Sequence, residues 1–116
     1  MMNTKECQLV VLQPQKRLDL EGGKTLERQL AGLVPQHQAL WVIDLAKVDF
    51  MDSAGLVSLV TGLKAARNSA CRLVLCNVQA PVRLIFELTQ LDCVFEIFDS
   101  YDAVLTTINV PSVLVG

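Results

Sequence analysis

Few side chains in these 116 residues are equipped for chemistry, and most can be set aside on spacing alone. Cysteines stand at positions 7, 71, 76 and 93 with no C-x-x-C pair among them. Zinc sites favour ligands paired at short spacing. Cys71 and Cys76 are five positions apart, an odd offset that turns them to opposite faces of a shared strand. They read as small buried hydrophobes. His37, the sole histidine, lies in the polar run Pro35-Gln36-His37-Gln38 with no cysteine or carboxylate at motif spacing, and reads as a solvated loop residue. No Walker loop, G-x-G-x-x-G, H-E-x-x-H or G-x-S-x-G occurs. The expectation is a protein with no catalytic residue, no metal ligand and no cofactor of its own.

One segment remains: Asp49-Phe50-Met51-Asp52-Ser53-Ala54-Gly55-Leu56. Ser53 falls where a helix is expected to start, and two readings of it stand side by side. In the first, its hydroxyl caps the helix by accepting a free backbone N–H. In the second it is a phosphoacceptor. A phosphoryl group there sits at the positive end of the helix dipole, where the domain tolerates it. It adds about −1.5 to −2 charges directly beside Asp52, and a partner fitted to a neutral serine is then repelled. Small Ala54 and Gly55 leave the serine open.

The elements that must position this segment follow from hydrophobic periodicity. Leu9-Val10-Val11-Leu12 reads as a strand. Residues 13–23, with Pro14, Gly22 and Gly23 among charges, read mostly as loop. Leu26, Leu30, Leu33 and Val34 recur at helical spacing from about Lys24, until Pro35 ends the helix. Leu40 to Leu45 is nearly all apolar, as for a strand covered on both faces. Asp49-Phe50-Met51-Asp52 reads as a turn, and Leu56, Leu59, Val60 and Leu63 mark a second helix ending near Asn68-Ser69. Arg72 to Val78 reads as a strand. Pro81 suits the first turn of a third helix with Val82, Ile85, Phe86 and Thr89 on one face. Val94 to Phe98 alternates as a strand, and Asp99 or Ser100 caps a last helix carrying Val104, Leu105 and Ile108.

Strands alternating with helices give an α/β domain with a largely parallel sheet. The expectation is a single domain over 1–116, with a core of about 9–108 and an apolar tail at 109–116. An apolar fraction of 52 % lets the chain bury a core without help. Ten Lys+Arg against 12 Asp+Glu argue against charge-driven binding to nucleic acid or anionic membrane. No apolar run approaches the roughly 18 residues of a membrane span, and no signal peptide is evident. The expected compartment is the cytoplasm.

Val48-Asp49-Phe50-Met51-Asp52-Ser53-Ala54-Gly55-Leu56 resembles the strand-to-helix phosphorylation loop of the STAS domain family, a D-S-[ST/A]-G-L pattern. Three further segments agree in order. Arg17-Leu18-Asp19 with Lys24-Thr25-Leu26 is similar to the G-x-L-D loop and first helix, although Lys16 stands where the family's glycine is usual. Leu73 to Val78 followed by Pro81-Val82-Arg83, and Phe95 to Phe98 with Asp102-Ala103, resemble the third-helix approach and the closing strand and helix. The resemblance spans about residues 9–108. It implies a four- to five-stranded, mostly parallel (mixed) sheet with four helices; relatives carry an extra N-terminal edge strand, for which only eight residues precede Leu9.

Stand-alone members of this family are anti-sigma factor antagonists, so the resemblance implies a phosphorylation-controlled binding protein, not an enzyme. Unphosphorylated, such a protein binds an anti-sigma factor serine kinase with a histidine-kinase-like ATPase fold and frees the sigma factor. The kinase phosphorylates the loop serine with its own Mg-ATP and releases it, and a PP2C-type phosphatase restores it. Carried over by position, Ser53 matches the phosphoacceptor, Asp52 the preceding aspartate and Asp19 the loop aspartate on the same face. Ala54 takes a position that is often hydroxylated. Asp19, Asp52, Ser53, Ala54 and Gly55 are the expected partner-binding residues. Two other readings compete: a constitutive STAS adaptor in a transport or signalling complex, with Ser53 only a cap, and a small enzyme or nucleotide-binding protein, which only the α/β pattern suggests.

Overall fold

The computed structural model describes residues 8–32 and 39–108. Expectations for Cys7, Leu33, Val34, Pro35 and His37, for an N-terminal edge strand and for the 109–116 tail lie outside the described residues. Strands β1 (Gln8–Leu12), β2 (Lys16–Leu18), β3 (Ala39–Asp44), β4 (Val48–Met51), β5 (Arg72–Cys76) and β6 (Glu96–Phe98) alternate with α1 (Leu20–Ala31), α2 (Ser53–Asn68), α3 (Ala80–Leu88) and α4 (Tyr101–Ile108). The expected α/β class with four helices is what forms.

The strands divide into two groups. One sheet runs β1-β3-β5-β6, and β2 pairs with β4 in a separate ribbon. All of these pairs are parallel, so the described residues include no antiparallel member of a mixed sheet. Leu40, Val42, Val74 and Cys76 face Val104 of α4. Trp41, Ile43, Leu73 and Leu75 face the opposite way into the larger core with Leu26, Leu30, Leu59, Val82 and Phe86 of α1, α2 and α3. Burial on both sides explains why β3 and β5 are apolar at nearly every position. Cys71 packs in the larger core and Cys76 in the smaller, but Cys71 precedes β5, so the two do not share a strand and their spacing does not decide this.

Two expectations are overturned, and both concern the elements around Ser53. Residues 13–23 are not mostly loop: they contain β2, and α1 begins at Leu20 rather than near Lys24. Gly22 and Gly23 lie within that helix because their surroundings leave no room for a side chain. A Cβ on Gly22 would stand 2.2 Å from the Arg17 carbonyl oxygen, and one on Gly23 would stand 2.3 Å from Ser58 Oγ. Residues 49–51 are likewise strand, the body of β4, with Phe50 opposite Arg17 and Met51 opposite Leu18. A four-residue strand whose two end residues alone are buried carries no period-2 signal.

Smaller differences occur at ends. β5 stops at Cys76, where Asn77 turns to φ 56°. Residues 91–93 form a single 3-10 turn, which delays β6 to Glu96. Thr89 is exposed at the C-terminus of α3, its hydroxyl donating to the Ile85 carbonyl at 2.7 Å, so it adds nothing to the buried face. Of the two candidate caps for α4, Ser100 takes the role: its Oγ accepts the Ala103 N–H at 3.0 Å.

Candidate functional site

The β2–β4 ribbon delivers the chain to two neighbouring helix starts built alike. Asp19-Leu20-Glu21-Gly22 opens α1 and Asp52-Ser53-Ala54-Gly55 opens α2. In each, the aspartate is the N-cap and accepts a backbone N–H three residues on. Asp19 Oδ1 takes that of Gly22 at 2.9 Å, and Asp52 Oδ1 takes that of Gly55 at 3.1 Å. Such caps satisfy one of the four unpaired donors of a helix start. In each, the glycine is pressed against β2. The Leu18 carbonyl oxygen would lie 1.8 Å from a Cβ on Gly55, and the same carbonyl accepts the Asp52 N–H at 3.2 Å. Because Leu18 and Met51 are in register, Asp19 and Asp52 follow side by side.

The structure thus brings Asp19, Asp52 and Ser53 together at one end of the ribbon. It assigns the cap to Asp52, so Ser53 does not fill the capping role considered for it. Ser53 is the first helical residue, is exposed, and its hydroxyl has no hydrogen-bond partner among the described residues. Ala54 is half-buried, and Gly55 is buried against Leu18.

Sequence reasoning passed over the residues that frame this serine. Arg17 lies with its guanidinium carbon 4.1 Å from the centre of the Phe50 ring, a cation–π contact, while its Nε is 3.4 Å from Asp19 Oδ2. Leu20, Phe50 and Val57 are exposed, and Val57 is one helical turn beyond Ser53. The available signal was the repeated D-x-x-G, each copy flanked by an apolar residue that a solvated helix start has no use for.

Lys16 takes a left-handed backbone conformation of the kind that favours glycine. It adopts φ 69° at the irregularity where β2 enters its pairing with β4. A left-handed conformation costs a non-glycine residue about 1–2 kcal/mol. Lys16→Gly is therefore expected to stabilise the domain by about 1 kcal/mol net of backbone entropy, raising Tm by about 5 °C in a thermal melt. A lowered Tm would mean that the lysine side chain contributes more than the strain removes.

The Gly22 N–H, with a smaller contribution from Arg17, holds the Asp19 carboxyl below its ordinary value against the opposing effect of burial. Arg72, bonded to both carboxylate oxygens of Glu96, does the same there. A carboxyl with a depressed folded-state pKa stabilises fully above its unfolded value and loses that contribution as pH falls through the folded one. Stability is expected to be level above about pH 5 and to fall below about pH 4. Asp19→Asn should flatten part of that acid limb in melts recorded across the range, and an unchanged limb would exclude Asp19 as a source.

Among the described residues no group of three or more His, Cys, Asp or Glu is placed to share a metal, and no helix is long and apolar enough to cross a membrane.

The described residues form a small parallel α/β domain with a polar loop at the start of α2. The STAS domain profile matches residues 2–104, and the chain belongs to the STAS domain family. It is 33 % identical over 78 residues, 67 % of each chain, to BtrV of Bordetella bronchiseptica, a protein named as an anti-sigma factor antagonist. Its fold is similar to that of the anti-sigma factor antagonist SpoIIAA in its unphosphorylated form, with a TM-score of 0.72, 17 % identity, and 95 % and 96 % of the two chains covered. Its fold is also similar to that of a sulfate transporter family protein from Wolinella succinogenes, with a TM-score of 0.76, 13 % identity, and 85 % and 83 % covered.

Proposed function

We propose that this chain is an anti-sigma factor antagonist whose binding is switched by phosphorylation of Ser53. The observation that carries the reading is the division of labour at the α2 start. Asp52 makes the cap, which leaves the Ser53 hydroxyl exposed on the first turn with no partner among the described residues. A phosphoryl group there costs the fold little, because it meets helix N–H donors and replaces no internal bond. Its charge falls beside Asp52 and near Asp19, so the effect is spent on the partner. Asp19, Asp52, Ser53 and Ala54 form the contact surface, with Gly55 holding it in place. The partners are an anti-sigma factor serine kinase of histidine-kinase-like ATPase fold and a PP2C-type phosphatase, all in the cytoplasm; ATP is the kinase's, and this chain catalyses nothing.

The likeness to BtrV supports the antagonist class. The likeness to a transporter family protein, at 13 % identity, is one of fold alone. The adaptor reading gave Ser53 only a capping role, and here Asp52 makes the α2 cap. The test is intact mass and phosphopeptide mapping of the protein from its native cells under two growth conditions. One phosphoryl group at Ser53 that varies with condition is the expected result. A chain unmodified in every condition would favour a constitutive adaptor.

A further inference from the structure

The outer face of α3 is apolar where a solvated helix would be polar. Val82 and Phe86 turn inward and are fully buried. On the opposite side Leu84 is 53 % exposed and Leu88 is 74 % exposed. Pro81, also exposed, precedes Leu84 by three residues, so the three form a stripe at helical spacing directed away from the sheet. One flank of the stripe carries Arg83 and Glu87, one turn apart. Neither side chain is in an ion pair among the described residues, in contrast to Arg17 and Arg72.

We propose that this face pairs two copies of the chain about a two-fold axis, with α3 lying antiparallel to the α3 of the second copy. The charges select both the occupant and the direction. In an antiparallel pair, residues on the same flank meet in reverse order. With the axis near Ile85, Arg83 of each copy then faces Glu87 of the other, and both charges on both chains are matched. The two Leu84 side chains meet close to the axis, and each Leu88 covers the other copy's Pro81. A parallel pairing about a two-fold axis would put the charged flanks of the two copies on opposite sides of the contact, so that neither Arg83 nor Glu87 met an opposite charge. The arrangement closes on itself and covers the exposed leucines without using Asp19, Asp52 or Ser53. It is therefore independent of the switch, and each dimer presents that surface twice.

A contact of one nine-residue helix against another is small, so the dimer is weak and forms at about 10–100 µM or above. Sedimentation equilibrium of the full chain from about 1 µM to about 1 mM should show the mass rise from monomer to dimer. Leu88→Glu, at an exposed position, should leave Tm unchanged and the chain monomeric throughout. Arg83→Glu and Glu87→Arg should each weaken self-association at least about tenfold. Mixed in equal amounts, those two variants should recover it, because each supplies the charges that the other lacks. A wild-type chain monomeric at every concentration would overturn the proposal. So would a dimer indifferent to Leu88→Glu, or charge variants that fail to complement on mixing.

Discussion

Ser53→Asp is expected to bind the anti-sigma partner about tenfold more weakly than the wild-type chain, and phosphoserine at the same position about a hundredfold more weakly. The estimate follows from charge. Ser53 is exposed beside Asp52, the cap of its helix, and Asp19 caps the neighbouring helix. A partner fitted to that surface desolvates the serine next to one carboxylate. One added charge that is not matched costs about 1.4 kcal/mol, and a phosphoryl group of nearly twice the charge about twice that. The same substitution acts on stability with the opposite sign. An acidic residue in the first turn of a helix is favoured by about 0.3–1 kcal/mol, so Ser53→Asp should melt no lower than wild type. Titration calorimetry against the cognate anti-sigma factor, with a thermal melt beside it, separates the two effects. Ser53→Ala should bind within about twofold of wild type and resist phosphorylation, because it removes a hydroxyl with no hydrogen-bond partner among the described residues. Equal affinity for Ser53→Asp and wild type would defeat the switch, and lost affinity with an unfolded variant would say nothing for it.

What could be read in the sequence and what could not divides along physical lines. β3 and β5 were legible because a strand buried on both faces writes itself as an unbroken apolar run, and α2 because its 16 residues give the helical period room to repeat. β2 and β4 were illegible because three and four residues are too few for any period. The start of α1 was misread for a different reason. Gly22 and Gly23 have the composition of a loop, yet they are glycines because Arg17 and Ser58 press on them from other elements. Their place at an expected helix start singles out Ser53 and Asp52, and only the resemblance to the STAS domain loop singles out Asp19. Which of Ser53 and Asp52 caps α2 is a matter of geometry between two adequate capping residues, and only coordinates decide it. The setting of Arg17 over Phe50 depends on pairing between β2 and β4, so it could not precede knowledge of that pairing.

Gly55→Ala is expected to destabilise the domain by about 2–3 kcal/mol, a fall in Tm on the order of 10–15 °C. Alanine is the better helix former by about 0.8–1 kcal/mol, and Gly55 lies within a regular helix with no left-handed backbone angle. Local propensity therefore predicts a gain. The tertiary contact predicts a loss, since the new Cβ would stand 1.8 Å from the Leu18 carbonyl oxygen and 2.9 Å from Leu18 Cβ. Neither neighbour is the end of a flexible side chain. Relief requires β2 to move away from α2, which strains the bond from the Asp52 N–H to that same carbonyl and separates the two aspartate caps. Gly32→Ala is the control. Its Cβ would meet nothing nearer than 3.6 Å, and Gly32 holds a right-handed helical conformation. That variant should be neutral or gain up to about 1 kcal/mol. If both alanine variants melted alike, the close approach of β2 to α2 would be dispensable, and Asp19 and Asp52 would have no rigid reason to stay side by side. If only Gly55→Ala falls, the glycine in D-S-A-G is fixed by the strand beneath it, and the serine two residues before it is held in place by that contact.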